Sequence, residues 1–119
     1  MTEVPDDARP ALDVLKSVGG DDMVAMLMRT FVQFADERVA KIVEEAGNAR
    51  WEEVASIAHA IKSSARQLGA NSLSDACGVT ENSGRSGDNV ACAAGVDAVQ
   101  REYRTARVWM DALASPSTS

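Results

Sequence analysis

Aromatic side chains are scarce in this sequence: two Trp, one Tyr and two Phe among 119 residues. Proline is scarcer still, with three copies, all within ten residues of a terminus. The interior of the chain therefore has no proline to break a helix, and a composition rich in Ala, Val, Glu, Arg and Asp but poor in aromatics favours helices over sheets. No apolar run approaches the roughly 20 residues that a membrane-spanning helix needs. The opening MTEVPDDARP is acidic where an export leader is basic, so a cytoplasmic protein with no membrane segment is expected. Cations are outnumbered as well, 12 Lys and Arg against 18 Asp and Glu, for a net charge of −6. Phosphate-backbone binding needs clustered Lys and Arg, so nucleic acid is not an expected partner. Cysteine occurs twice, and Cys77 and Cys92 lack the short spacing of a metal knuckle. Both fall on apolar helical stripes and are expected to be buried free thiols.

What the sequence does have is helical periodicity. Residues 1–10 combine acids with two prolines and read as an N-terminal arm. Pro10 can open a short helix in which Ala11, Leu12, Leu15 and Val18 share a face, and Gly19 and Gly20 end it. Asp21 and Asp22 suit the start of a second, long helix, because carboxylates complement its unpaired N–H groups. Met23, Leu27, Phe31, Phe34, Ile42 and Val43 give that helix an apolar stripe, and Gly47-Asn48 stops it. A third helix starts near Arg50, with Trp51, Val54, Ala58, Ile61, Ala65 and Leu68 facing the core and Gly69 as its stop.

Ser72 to Asp75 matches a capping pattern for a fourth, shorter helix carrying Leu73, Ala76, Cys77 and Thr80, which NSGRSGD ends as a turn. Asp88 can cap the last helix, whose stripe of Cys92, Val96, Val99, Tyr103, Ala106, Met110 and Leu113 is the most regular in the chain. Gly95 inside that helix marks a close approach of a neighbour. The expected fold is all-α: one antiparallel four-helix bundle with a short additional N-terminal helix, spanning 11–114, followed by a disordered tail at 115–119.

The chain has one histidine, His59. Helical geometry places it about 130° from the centre of its helix's apolar stripe, facing solvent. Lys62 and Ser63 follow one turn on and Arg66 two turns on, along the same flank. A neutral imidazole nitrogen is a nucleophile, and cations beside it would offset the charge of a bound phosphoryl group. Triad, Gly-rich phosphate loop, paired carboxylates and convincing zinc ligand set are all missing. Spacing alone nevertheless favours an ordinary solvated helix face, and does not settle the role of the histidine.

The residues AHAIKSSARQLGANSLSDAC resemble the signature of histidine-containing phosphotransfer (HPt) domains, His-x-(Leu/Ile)-Lys-(Gly/Ser)-Ser-(Ala/Ser) followed by a hydrophobic-Gly pair and a Leu. His59, Ile61, Lys62, Ser63, Ser64, Ala65, Leu68, Gly69, Ala70 and Leu73 occupy its positions. VGGDDMVAMLMRTF and ENSGRSGD resemble the family's Gly-Gly-Asp and Glu-x-x-x-Arg-x-Gly-Asp segments, so the likeness extends over about residues 11 to 113. It implies an antiparallel four-helix bundle and a phosphorelay role, with His59 accepting a phosphoryl group on Nε2. Lys62 would neutralise the phosphoryl oxygens.

Ser63 stands where many relatives have Gly, and is small enough to keep partner access; Arg66 and Gln67 would contact a partner, and Gly69 is the structural helix stop. Thr80 departs from the family's usual Leu and is expected to weaken packing of the fourth helix, its hydroxyl bonding to a carbonyl one turn back. The implied partners are response-regulator receiver domains and a sensor histidine kinase, hybrid kinases included. Mg²⁺ is expected on the receiver, with no metal or other cofactor on this chain, which is expected to be a monomeric carrier and not an enzyme. Two rival readings stay open: a helical adaptor or inhibitor that docks a kinase or receiver without transfer, and a metal site formed by Cys77, Cys92 and His59.

Overall fold

The computed structural model describes residues 4–115; the first three residues, and residues 116–119 of the expected tail, lie outside the described residues. A 3-10 turn, Asp6–Ala8, leads into four helices: α1 (Arg9–Gly47), α2 (Trp51–Gln67), α3 (Asn71–Ser86) and α4 (Asn89–Ala114). Each packs against the next and α4 closes on α1, giving an antiparallel bundle about its long axis, 48 × 22 × 22 Å overall. The four-helix expectation is met.

α1 is two helical pieces, 9–19 and 21–47, because Gly20 takes φ 73°, ψ −171°, outside the helical region. An L-residue disfavours that backbone, so the sequence stop at Gly19-Gly20 has its physical basis in the second glycine. The N-terminal piece engages the bundle through Leu12, whereas Val18, expected on the buried face, is 75% exposed. Residues 4–10 do more than an arm would. Ala8 is completely buried, its backbone lies against Gly69, and Asn71 Nδ2 donates to Asp7 O at 3.0 Å. The short segment thus closes over the α2–α3 turn.

The long piece corrects the expected stripe. Its buried line is Val24, Met28, Phe31, Val32, Ala35, Val39 and Ile42; Met23, Leu27 and Phe34 are half-buried, and Val43 is 40% exposed. The apolar surface is wider than one stripe, and packing against α2 and α4 selects the Val24–Met28–Phe31–Ala35 side while Leu27 and Phe34 flank it. Gly47 ends the helix, but the left-handed residue of the turn is Ala49, at φ 56°. α2 and α4 keep the expected faces, with Asp88 Oδ1 accepting from Ala91 N at 3.1 Å as the α4 cap. Trp109 adds to the α4 face, buried beside Met110.

α3 differs at both ends. Its N-cap is Ala70 with no side-chain bond, and Ser72 lies inside the helix, so the Ser-x-x-acid pattern does not cap it. The helix also continues through the Asn-Ser-Gly-Arg segment to Ser86, because Gly84 faces inward against Trp51 and Ala55 of α2. Thr80 is fully buried, and its hydroxyl donates to Ala76 O at 2.8 Å, as expected. The weakened packing expected there is offset by Gly95. A Cβ at Gly95 would lie 2.3 Å from Thr80 Oγ1 and 3.1 Å from Thr80 Cα, so α3 and α4 meet backbone to backbone at this crossing.

Candidate functional site

α2 buries Ala58 and Ile61, and this register turns His59 outward between them, with 57% of its side chain exposed. α3 buries Cys77, Thr80 and Gly84, which carries Glu81 to the α2–α3 seam beneath the imidazole. There the His59 Nδ1–H donates to Glu81 Oε2 at 2.9 Å. Lys62 Nζ donates to Glu81 Oε1 at 2.8 Å, and Arg85 Nε donates to Oε2 at 3.3 Å. The Glu81 side chain is only 10% exposed, so a buried carboxylate serves three donors at the surface.

These donors decide its charge. The Lys62 hydrogen bond is the strongest influence, and together with the bonds from His59 and Arg85 it overcomes the cost of burial, holding the Glu81 carboxyl down to about 2. An ionised carboxylate only accepts, so Nδ1 must carry the proton, and a neutral ring then keeps its lone pair on Nε2. The seam therefore fixes one tautomer and presents the nucleophilic nitrogen on the exposed side of the ring.

The other sequence-predicted residues divide. Lys62 stands beside His59 but is paired with Glu81 and one-third exposed. Ser63 is exposed on the next turn, leaving the approach to the imidazole open. Arg66 turns away to Asp75 Oδ1, 3.1 Å from Nη2, and so is not gathered with His59 and Lys62. Gln67 lines a shallow groove with Leu27, Thr30, Phe31, Phe34, Ser64 and Leu68, on the α1 side of α2. Gly69 is positioned by structure alone: φ 85° and contact with Ala8 leave no place for a side chain.

Glu81 and Arg85 are the site residues that helical spacing did not single out. Their signal was the Glu-x-x-x-Arg segment, which read as a turn when it is the last stretch of α3. Cys77 and Cys92 are buried free thiols; Cys77 is pushed up to about 12 by desolvation, and Cys92 Sγ faces Thr80 O at 3.7 Å. Among the described residues no group of three His, Cys, Asp or Glu side chains could hold a metal ion, so the Cys77, Cys92 and His59 constellation is not assembled.

A four-helix bundle that holds one half-exposed imidazole on an open flank, its Nδ1 bonded to a buried carboxylate, presents that side chain to a partner and does not enclose it in a cleft. The Hpt domain family model matches residues 26–109, and the chain belongs to this family. It is a histidine phosphotransfer protein of a phosphorelay. Proteins of this family are phosphoryl carriers that interact with receiver domains and histidine kinases. Among solved structures, the chain is similar to histidine-containing phosphotransfer protein B (HptB) from Pseudomonas aeruginosa PAO1, with a TM-score of 0.84, 24% identity, and coverage of 92% of this chain and 95% of that one. That likeness supports the fold. No curated protein gives a significant match. None of the described helices is long and apolar enough to cross a membrane.

Proposed function

We propose that His59 is the phosphoacceptor and that the chain is a carrier whose chemistry is shared with its partner. The observation that carries this is the 2.9 Å bond from Nδ1 of an exposed imidazole to a buried, ionised carboxylate. Nε2 attacks the phosphorus of a receiver's aspartyl phosphate; the Nε2–P bond forms as the P–O bond breaks, and the aspartate leaves with the electron pair. Glu81 accepts the Nδ1–H hydrogen bond, which keeps that proton on the ring, and offsets the positive charge that develops there. Lys62, beside it, neutralises phosphoryl oxygens. The receiver contributes its Mg²⁺, and this chain binds no metal of its own. Onward transfer to a second receiver is the reverse step.

The groove at Leu27, Phe34, Ser64 and Gln67, on the α1 side of the helix that carries His59, supplies the apolar part of a docking surface, with Ser63 leaving room for the partner's loop. Arg66, held by Asp75 at the exposed rim, contacts the partner and not the phosphoryl group. Docking is transient because a carrier must release two successive partners. The protein acts as a cytoplasmic monomer.

The test is incubation with a phosphorylated receiver or with its kinase, followed by mass spectrometry for acid-labile phosphate. Label on His59 that disappears in His59→Gln is the expected result. Label on another residue, or stable binding with no label at all, would sink the proposal; the second outcome returns the non-transferring adaptor.

A further inference from the structure

Arg85 lies in the last turn of α3, one turn beyond Glu81, and its Nε is 3.3 Å from Glu81 Oε2, the same oxygen that accepts the His59 Nδ1–H hydrogen bond. Lys62 holds the other oxygen at 2.8 Å. This division matters once negative charge arrives. A phosphoryl group on Nε2 would draw the Lys62 ammonium, a point charge on a flexible stem, away from Oε1. Glu81 would then face the charge developing on the ring through Oε2 but keep no donor on Oε1, and a buried carboxylate oxygen stripped of its partner is costly. Arg85 is placed to prevent that. Its side chain is 48% exposed, its bond to Glu81 is long and runs through Nε, and a guanidinium fork has further donors with which to tighten onto both oxygens.

We propose that Arg85 is a positioning residue for phosphoryl transfer: it fixes Glu81 against His59, and it takes over Glu81 when Lys62 turns to the phosphoryl oxygens. The proposal rests on the reading of His59 as phosphoacceptor. A purely structural Arg85, serving as an i, i+4 ion-pair partner and as a cation at a helix C-terminus, would only stabilise α3 slightly. It would leave the ring nitrogens of His59 untouched.

The two roles separate in an experiment on the full chain with phosphoramidate as donor. In that reaction the Nε2–P bond forms while the donor's P–N bond breaks, and ammonia departs with the electron pair. Arg85→Ala is expected to label His59 about tenfold more slowly, and its ring ¹⁵N signals should report loss of the Nδ1–H tautomer. Arg85→Lys should restore both in part, since it keeps the charge but not the fork, and Arg85→Gln neither. Combined with Lys62→Ala, the Arg85→Ala effect should be smaller than the product of the separate effects, because there is no longer a lysine to release. Wild-type labelling and unchanged ring signals in Arg85→Ala, with only the melting temperature lowered, overturn this role and leave the phosphoacceptor reading standing. Multiplicative effects of the two substitutions overturn the handover. Absence of label on wild-type His59 overturns the phosphoacceptor reading, and this inference with it.

Discussion

Replacing Glu81 by Gln keeps the shape of the side chain and removes its charge, which makes it the sharpest probe of the seam beneath His59. The amide offers one acceptor and one donor group to three donors, those of His59, Lys62 and Arg85, so at least one pair must face donor to donor. The carboxyl lies at about 2 when folded against an ordinary value of 4.5. A gap of this size corresponds to a ceiling of about 3 kcal/mol, and the exposure of all three donors reduces it to about 1–2 kcal/mol. Because the folded value is the lower one, this stabilisation is complete above the ordinary carboxylate range and drains away as pH falls from 4.5 toward about 2. Urea unfolding should therefore show Glu81→Gln less stable than wild type by about 1–2 kcal/mol at neutral pH, with the difference closing in strong acid. The tautomer should respond too. Loss of about 1.4 kcal/mol of preference for Nδ1–H is a tenfold change in the ratio, visible in ring ¹⁵N shifts and as slower labelling by phosphoramidate. Equal stability at neutral pH together with an unchanged tautomer would refute the reasoning, since both follow from one ionised acceptor.

Gly95→Ala pits helix propensity against packing: alanine gains about 1 kcal/mol in the helix, but its methyl would collide with Thr80 Oγ1 and backbone, so a net loss of about 1–3 kcal/mol is expected in urea unfolding. A stabilised variant would show that α3 and α4 separate easily at this crossing. Gly69→Ala meets both a φ of 85° and the Ala8 backbone, and should lower the melting temperature by several degrees, by roughly 1–3 kcal/mol of strain. Phe34→Ala should weaken binding to a cognate receiver about tenfold in titration calorimetry, and slow transfer from the receiver more than labelling by phosphoramidate; equal slowing with both donors would remove the groove from the docking surface. Cys77 and Cys92, buried and with their thiols pushed up by desolvation, should react with a disulfide reagent only as fast as the protein opens, accelerating with urea; rapid reaction in native buffer would contradict their burial.

Periodicity in the chain by itself determined the number of helices, their order and most of their inward faces. Ala58, Ile61 and Ala65 on α2, and Cys92 through Met110 on α4, leave only one register in which apolar atoms escape water, and that register also turns His59 outward. Glycines marked the breaks, since Gly20 and Gly69 hold backbone angles that other residues resist. The motif around His59 pointed to the family, which helical geometry had left open. The long piece of α1 was less legible. Its apolar residues cover more than one stripe, and which edge is buried depends on the helices it meets, so the core line falls on Val24, Met28 and Val32 while Leu27 and Phe34 are left to border the groove.

The chemistry of the site was decided by tertiary structure. Glu81 lies 22 residues from His59 in sequence, and only the packing of α3, on α2 at Gly84 and on α4 where Thr80 meets Gly95, brings its carboxylate to Nδ1. Arg66, nearer in sequence, is drawn off to Asp75, whereas Arg85 joins the site from the segment that looked like a turn. A helix's own sequence states which way each side chain points. What it meets there, and so which nitrogen of the imidazole keeps the proton, depends on the neighbouring helix.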